Sequence, residues 1–368
     1  MGRLARALTS ALMSAAFLAA CSSGTAPGAS SGPGISAGHG TSPAAPSDSG
    51  SSPDAPSGSL TVYSGRAEEL VAPLLEEFEA ASGIEVEARY GDTAELASLI
   101  LEESDAGRIQ ADVFFAQDAG ALGAIAEAEL FAPLDDAVLE RVDARFQDDE
   151  GRWVGVSGRA RVLAYSTERF TDDELPVSVT DLTDPGWAGR IGWAPTNASL
   201  QAFVTAFRQL EGEDAARAWL EGMVANDPVT YSSNTDAVEG VAAGEVDVAL
   251  VNHYYLMRLL AENGPEYPVA NYFFPGGDLG SLVNVAGAGI MASSQRSDAA
   301  ATLVEYLVAD DAQTYFAEET YEYPLVEGMS ADPGLPALDE IDSPEIDLNS
   351  LADLQGTVDL MRETGALD

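Results

Sequence analysis

The sequence predicts an α/β protein of two domains that close on a cleft, with a hinge of crossing strands between them. Three observations predict it. Short apolar runs alternate with amphipathic helical stretches from Leu60 onward, which implies a parallel sheet with helices on its faces. The series begins a second time after Val162-Leu163-Ala164-Tyr165, and 368 residues suffice for two domains. Residues 22–58, by contrast, hold Ser, Gly, Pro and Ala with almost nothing large and apolar.

Taken in chain order, Arg3 and Arg6 are followed by a short apolar run over residues 11–20 and then by Leu18-Ala19-Ala20-Cys21. This reads as a bacterial secretion signal, residues 1–20, that ends in a lipoprotein box. The apolar run is too short to span a bilayer. Cys21 is the only cysteine, so it is the expected lipidation site, and neither an intrachain disulfide nor a second thiol is possible. The segment after it, to residue 58, cannot offset its ordering entropy and reads as a tether. The expected location is the extracytoplasmic face of the cell membrane, held by the lipid alone.

The first domain is expected over residues 59–160 plus about 285–335. Leu60-Thr61-Val62-Tyr63 reads as a buried strand. Leu70, Val71, Leu74, Leu75 and Phe78 trace one helical face, which Pro73 is expected to kink or delay and Gly83 to end. Ile84-Glu85-Val86-Glu87-Ala88 alternates as a strand, a helix covers about 94–103, and Ala111-Asp112-Val113-Phe114-Phe115 is the next strand. The second domain is expected over 161–284 plus about 336–368. Its strands are Arg190-Ile191-Gly192-Trp193-Ala194 and Asp247-Val248-Ala249-Leu250-Val251. Leu200, Phe203, Val204, Phe207 and Leu210 mark one helix, and a second runs from about 254 to 261. Residues 283–291, apolar and Gly-rich, are read as passing back to the first domain. A ligand is expected between the two domains.

Charge narrows the function. The chain carries 61 Asp and Glu against 17 basic residues, all Arg, for a formal net charge of −44. Phosphate backbones require basic surfaces, so a nucleic-acid partner is excluded. Asn252-His253-Tyr254-Tyr255 stands directly after a buried strand and opens a helix. Adjacent residues on a helix diverge by about 100°, so two phenols on a first turn can still reach one ion. A phenol holds its proton to pH about 10, but a hard, highly charged cation displaces it; paired phenolates suit ferric ion, and packing is the alternative reading. The ring of His253 is expected to point in a different direction from both tyrosines. Three helix starts lie in the same domain: Asn197-Ala198-Ser199, Ser232-Ser233-Asn234 and Asn252. Free backbone N–H groups there favour anions, and the neighbouring amides and hydroxyls add no charge.

Val62-Tyr63-Ser64-Gly65-Arg66, Asp112-Val113-Phe114-Phe115, Ser157-Gly158-Arg159-Ala160-Arg161-Val162 and Asn252-His253-Tyr254-Tyr255 resemble the periplasmic ferric-ion-binding proteins of ABC-type iron importers, from Leu60 to the C-terminal helices. The resemblance implies a periplasmic-binding-protein-like (type II) clamp that holds ferric ion as cargo and delivers it to a permease as a single copy. By position, Tyr254 and Tyr255 match the iron-ligating pair. Asn197, Ala198, Ser199, Asn234 and Asn252 match the anion pocket. Ala67 stands where some members place a His ligand, and Gln117, with Asp118 beside it, where they place a carboxylate. No third Tyr lies near Ala198.

Ferric ion with two phenolates keeps a charge of about +1 and, for octahedral preference, some four open positions. A synergistic anion such as phosphate, carbonate or a citrate-like chelator is expected to fill them with water. Arg66, Arg159 or Arg161 would grip it with a guanidinium fork, structural ion pairs being the alternative for each, and Asp118 turned inward would be a competing ligand. A clamp for an oxyanion, a ferric chelate or another small organic solute is the second reading. An enzyme is not expected, because HExxH and Walker patterns are absent and Gly-x-Ser-x-Gly occurs only in the tether, at residues 28–32 and 34–38, and not in the folded part.

Overall fold

The computed structural model describes residues 59–367, so the leader, Cys21 and the tether lie outside the described residues. Strand β1 (Leu60–Ser64) turns through Gly65 into helix α1 (Glu68–Ser82), which buries Leu70, Val71, Leu74, Leu75 and Phe78. Pro73 does not delay the helix, which starts at Glu68 and runs through it. It sits on the solvent face, where the lost bond falls on the exposed Glu69, a place where water replaces it at little cost. Gly83 ends the helix at φ 73°, a left-handed turn that a side chain would strain. Strand β2 (Val86–Tyr90) begins two residues into the alternating run that announced it and extends two residues past its end.

Helix α2 (Thr93–Asp105) begins where the Asp92 carboxylate accepts from the N–H groups of Ala94 and Glu95. Strand β3 (Val113–Ala116) is wholly buried and leads into α3 (Ala119–Glu127), capped by Asp118, and the short α4 (Asp136–Leu139). Then comes β4 (Trp153–Ser166), fourteen residues long and buried throughout. The apolar run Val162-Leu163-Ala164-Tyr165 marked only its far end, and a strand covered on both faces has no polar side to alternate with.

The remaining elements are β5 (Ile191–Trp193), α5 (Ala198–Glu211), α6 (Glu213–Ala225), β6 (Val229–Thr230), α7 (Asn234–Ala243), β7 (Val248–Asn252), α8 (His253–Asn263) and β8 (Val269–Tyr272). They are followed by β9 (Val283–Ile290), α9 (Ser297–Leu307), α10 (Asp310–Glu318), β10 (Tyr323–Pro324) and α11 (Leu354–Glu363). No helix of the described residues is long and apolar enough to cross a membrane.

The strands run β2-β1-β3-β9-β4-β7-β5-β6, with β8 and β10 on β4 as well. Strands β1, β2 and β3 are parallel, and β9 returns antiparallel to β3. Strand β4 changes partners along its length. Residues 153–160 pair with β9, and residues 161–166 pair with β7 and β8. The change falls between Ala160 and Arg161, and the resulting architecture is a two-domain α/β clamp whose hinge runs through β4. Residues 283–291 do pass back to the first sheet, as their apolar Gly-rich pattern predicted.

Candidate functional site

The site grows from the N-terminus of α8. Strand β7 is buried from Val248 to Asn252, which delivers the next residues into the interior at the hinge. Asn252 holds the cap position without a side-chain cap bond, directly across from Arg161 in the β4–β7 ladder. His253 is fully buried. Its Nδ1 accepts from the Ala160 N–H at 3.1 Å, so Nε2 carries the proton and donates to the Tyr321 carbonyl at 2.8 Å. Burial holds its pKa down at about 4, against the pull of those two backbone bonds. Both ring nitrogens are therefore spent on the hinge, and the imidazole points away from the tyrosines' task, as expected.

Tyr254 is 1 % exposed and Tyr255 half-buried. Their rings stack with centroids 4.1 Å apart and planes at 30°. Burial pushes the Tyr254 phenol well above its ordinary value; Tyr255 and Glu322 push the same way, and the Arg66 and Arg159 guanidiniums oppose them. A phenol so placed ionises only for a strongly charged partner.

Second-domain polar groups meet beside the pair. The Asn197 carbonyl caps α5 by accepting from the Ser199 N–H (3.0 Å) and from Ser199 Oγ (2.7 Å). Ser199 Oγ in turn accepts from Arg161 Nη1 (3.2 Å) and Asn234 Nδ2 (3.3 Å). Ala198 is the buried first residue of α5. Arg161 also donates to the Leu250 carbonyl at 3.0 Å and lies over the Phe203 ring. Its burial lowers its pKa to about 9, which leaves it charged at neutral pH. Asn234 is the first residue of α7, where Ser233 takes the cap position. Buried Asn234 Oδ1 and Arg161 Nε have no partner.

The first-domain side is charged. Arg66 follows Gly65, and a Cβ on Gly65 would stand 1.9 Å from Thr93 Oγ1. That hydroxyl donates to the Gly65 carbonyl and accepts from the Gln117 N–H, so it ties the two loops bearing Arg66, Gln117 and Asp118. Arg66 Nη2 donates to Glu322 Oε2 at 2.6 Å, and Arg159 Nε lies 3.8 Å from Glu322 Oε1. For these two arginines the ion-pair alternative holds, yet incompletely: Arg66 Nε and Nη1, Arg159 Nε and Nη1, and Glu322 Oε1 are buried without hydrogen bonds. Asp118 spends one oxygen on the Ala121 N–H (3.1 Å), leaves the other unpartnered, and is pushed up to about 6 by burial. Half-buried Gln117 leaves its amide nitrogen unpartnered.

Glu322 escaped the sequence reading. It lies 256 residues from Arg66, and its only local sign is an acid between two tyrosines before a proline. Among the described residues no group of three or more His, Cys, Asp or Glu could hold a metal ion.

Residues 109–344 match the family described as bacterial extracellular solute-binding protein. The Fe(3+)-binding periplasmic protein of Serratia marcescens is 33% identical over 310 residues, which cover 84% of this chain and 90% of that one. The major ferric iron-binding protein of Neisseria meningitidis is 30% identical over 309 residues, 83% of this chain and 92% of its own. Iron-bound HitA from Pseudomonas aeruginosa superposes with a TM-score of 0.79 at 34% identity, over 83% of this chain and 99% of that structure. A Trichodesmium protein in complex with iron and citrate gives 0.71 at 28%, over 83% and 99%. This chain therefore belongs to the bacterial extracellular solute-binding proteins, in their periplasmic ferric-ion-binding branch.

Proposed function

We propose that the protein is the ferric-ion-binding component of an ABC-type importer, a transport protein and not an enzyme. It holds the ion on Tyr254 and Tyr255 with an exogenous oxyanion, passes it to a permease, and is held at the extracytoplasmic face of the membrane by a lipid on Cys21. The observation that carries the reading is the stacked phenol pair set between neutral donors on one side and buried guanidiniums on the other. Its relatives named as ferric-binding proteins support the choice of cargo.

Charge supports the oxyanion. Three buried guanidiniums face one paired carboxylate and two phenols. When ferric ion displaces the phenolic protons, positive charge remains in excess, and unspent donors on Arg66, Arg159 and Arg161 point to an anion that takes fork-like bonds. Asn197, Ala198, Ser199, Asn234 and Asn252 form the neutral wall against which it rests. Asp118 has one carboxylate oxygen to spare and Gln117 its amide, so both belong to the rim of the same site. The change of partners along β4 supports domains of 59–160 with 285–335 and 161–284 with 336–368. A ferric chelate is the second reading, favoured by the number of unspent guanidinium donors and by the neighbour bound to iron and citrate.

The test is an absorbance titration of the full chain, held in mild detergent, with ferric salt in buffers with and without phosphate. A visible phenolate charge-transfer band is expected, stronger with phosphate and absent when Tyr254 and Tyr255 are both changed to Phe. No band in either buffer would remove bare ferric ion as cargo, and ferric citrate would be tried next.

A further inference from the structure

Glu322 is an expensive residue to place where it is. It is 0 % exposed, and the residue before it, Tyr321, has φ 59°, a left-handed conformation that a bulky side chain adopts only under constraint. The constraint is visible: the Tyr321 carbonyl is held by His253 Nε2, and Tyr323, next along, pairs with Gly158 of β4 and packs its ring 4.7 Å from that of His253. Thr320 Oγ1 lies 2.9 Å from the Phe316 carbonyl and 3.0 Å from Glu322 Oε2 and shares its one proton between them, which supports the carboxylate from behind. The turn thus fastens to the hinge strand and to the helix that bears the tyrosines.

What the turn delivers is one carboxylate between two guanidiniums. A buried ion pair kept for structure is expected to satisfy its donors and acceptors, because each unpaired one costs free energy. Here Arg66 is bound through one nitrogen only, Arg159 stays beyond hydrogen-bond distance, and Glu322 Oε1 is unspent. Burial and the charge of Arg66 both work against the Arg159 cation, whereas Glu322 favours it. The carboxylate therefore cancels one positive charge and aims both arginines, while their remaining donors stay free.

We infer that Glu322 is a positioning residue of the site: it holds Arg66 and Arg159 in place and, by cancelling one of their charges, sets how tightly the site retains an oxyanion. The strength of that hold matters for a carrier, because an anion bound too firmly would keep the cargo from leaving. This inference rests on the function proposed above, and two measurements separate the two. Phosphate binding to the metal-free full chain is followed by calorimetry, and the ferric band is followed as phosphate is titrated.

Glu322→Gln keeps the shape and one acceptor but removes the charge. It is expected to bind phosphate about tenfold more tightly in both assays, since one unit charge a few ångströms away through a protein-like medium is worth at least that. Iron release to a competing chelator is expected to slow. Glu322→Asp, which retains the charge, is expected to stay within about threefold of the unmodified chain, on the same electrostatic ground. Unchanged phosphate binding in a cooperatively folded Glu322→Gln overturns the inference. Where that variant does not fold, Arg66→Gln decides: about tenfold weaker phosphate supports the inference and unchanged binding overturns it. A calorimetric shift without any ferric band in the unmodified chain would sink the proposed cargo and leave the role of Glu322 standing.

Discussion

The two polar clusters beside the tyrosine pair, one wall from each domain, are held by different chemistry. On the second-domain wall, Asn197, Ser199 and Asn234 form a neutral chain of hydrogen bonds ending on Arg161. On the first-domain wall, Arg66, Arg159 and Glu322 are buried charges whose bonds are only partly made. A neutral network tolerates the loss of a member, because each bond contributes about 1 kcal/mol net. A buried charge cluster does not, since removal of one member leaves another uncompensated in a poorly solvated place.

That contrast is broken most directly by Glu322→Leu, which leaves two buried guanidiniums without their carboxylate. We expect a loss of about 3–5 kcal/mol in denaturant unfolding of the metal-free chain; a loss below about 1 kcal/mol would mean that the arginines find water and that the charged wall is no more fragile than a surface pair.

Next in size is the pH dependence of Asp118→Asn. The Asp118 carboxyl sits at about 6 in the folded protein against 3.8 unfolded. Between these values the folded chain keeps a proton that the unfolded chain has released, so this group favours folding at low pH and the advantage disappears as pH rises through about 6. Asn, which keeps the cap to Ala121, does not lose it. The stability of the variant relative to the unmodified chain should therefore grow by about 2 kcal/mol from pH 4 to pH 6.5 and stay nearly level above. A flat difference would show that Asp118 is ionised at little cost. His253 acts with the opposite sign: at about 4 folded against 6.5 unfolded, its contribution is whole above pH 6.5 and falls away as pH drops toward 4. The two groups thus offset one another over most of the same window in the unmodified chain.

The smallest effect is expected at Ser199→Ala on the neutral wall. Asn197 still caps the Ser199 backbone N–H, and Arg161 keeps the Leu250 carbonyl, so about 1–2 kcal/mol is expected by the same unfolding measurement. A loss equal to that of Glu322→Leu would erase the distinction between the walls.

Much of the second-domain wall was legible along the chain. Asn197 before an amphipathic run is a cap wherever it occurs, and the apolar strand ending at Asn252 announced a helix start with two tyrosines on its first turn. Those signals are local, so a few neighbouring residues suffice to read them. The helix over residues 68–82 was legible for the same reason, and Pro73 does not delay its start, because a proline on the solvent face loses a bond that water supplies. The charged wall was legible only in its arginines. Nothing near Arg66 or Arg159 says that their counter-charge stands beyond residue 320, and nothing near His253 says that its ring will brace the hinge.

The sequence by itself determined the alternation of strands and helices, the sites of the caps, the tyrosine pair and the acidic balance, since each depends on propensity, periodicity or charge carried by adjacent residues. Tertiary structure alone decided that β4 is shared by both halves of the sheet, that His253 spends both nitrogens on Ala160 and Tyr321, and that Glu322 lies between Arg66 and Arg159. The physical reason is range. Backbone propensity acts over a turn or a strand, whereas buried charges must be matched in space, and the chain meets that demand with residues 256 positions apart.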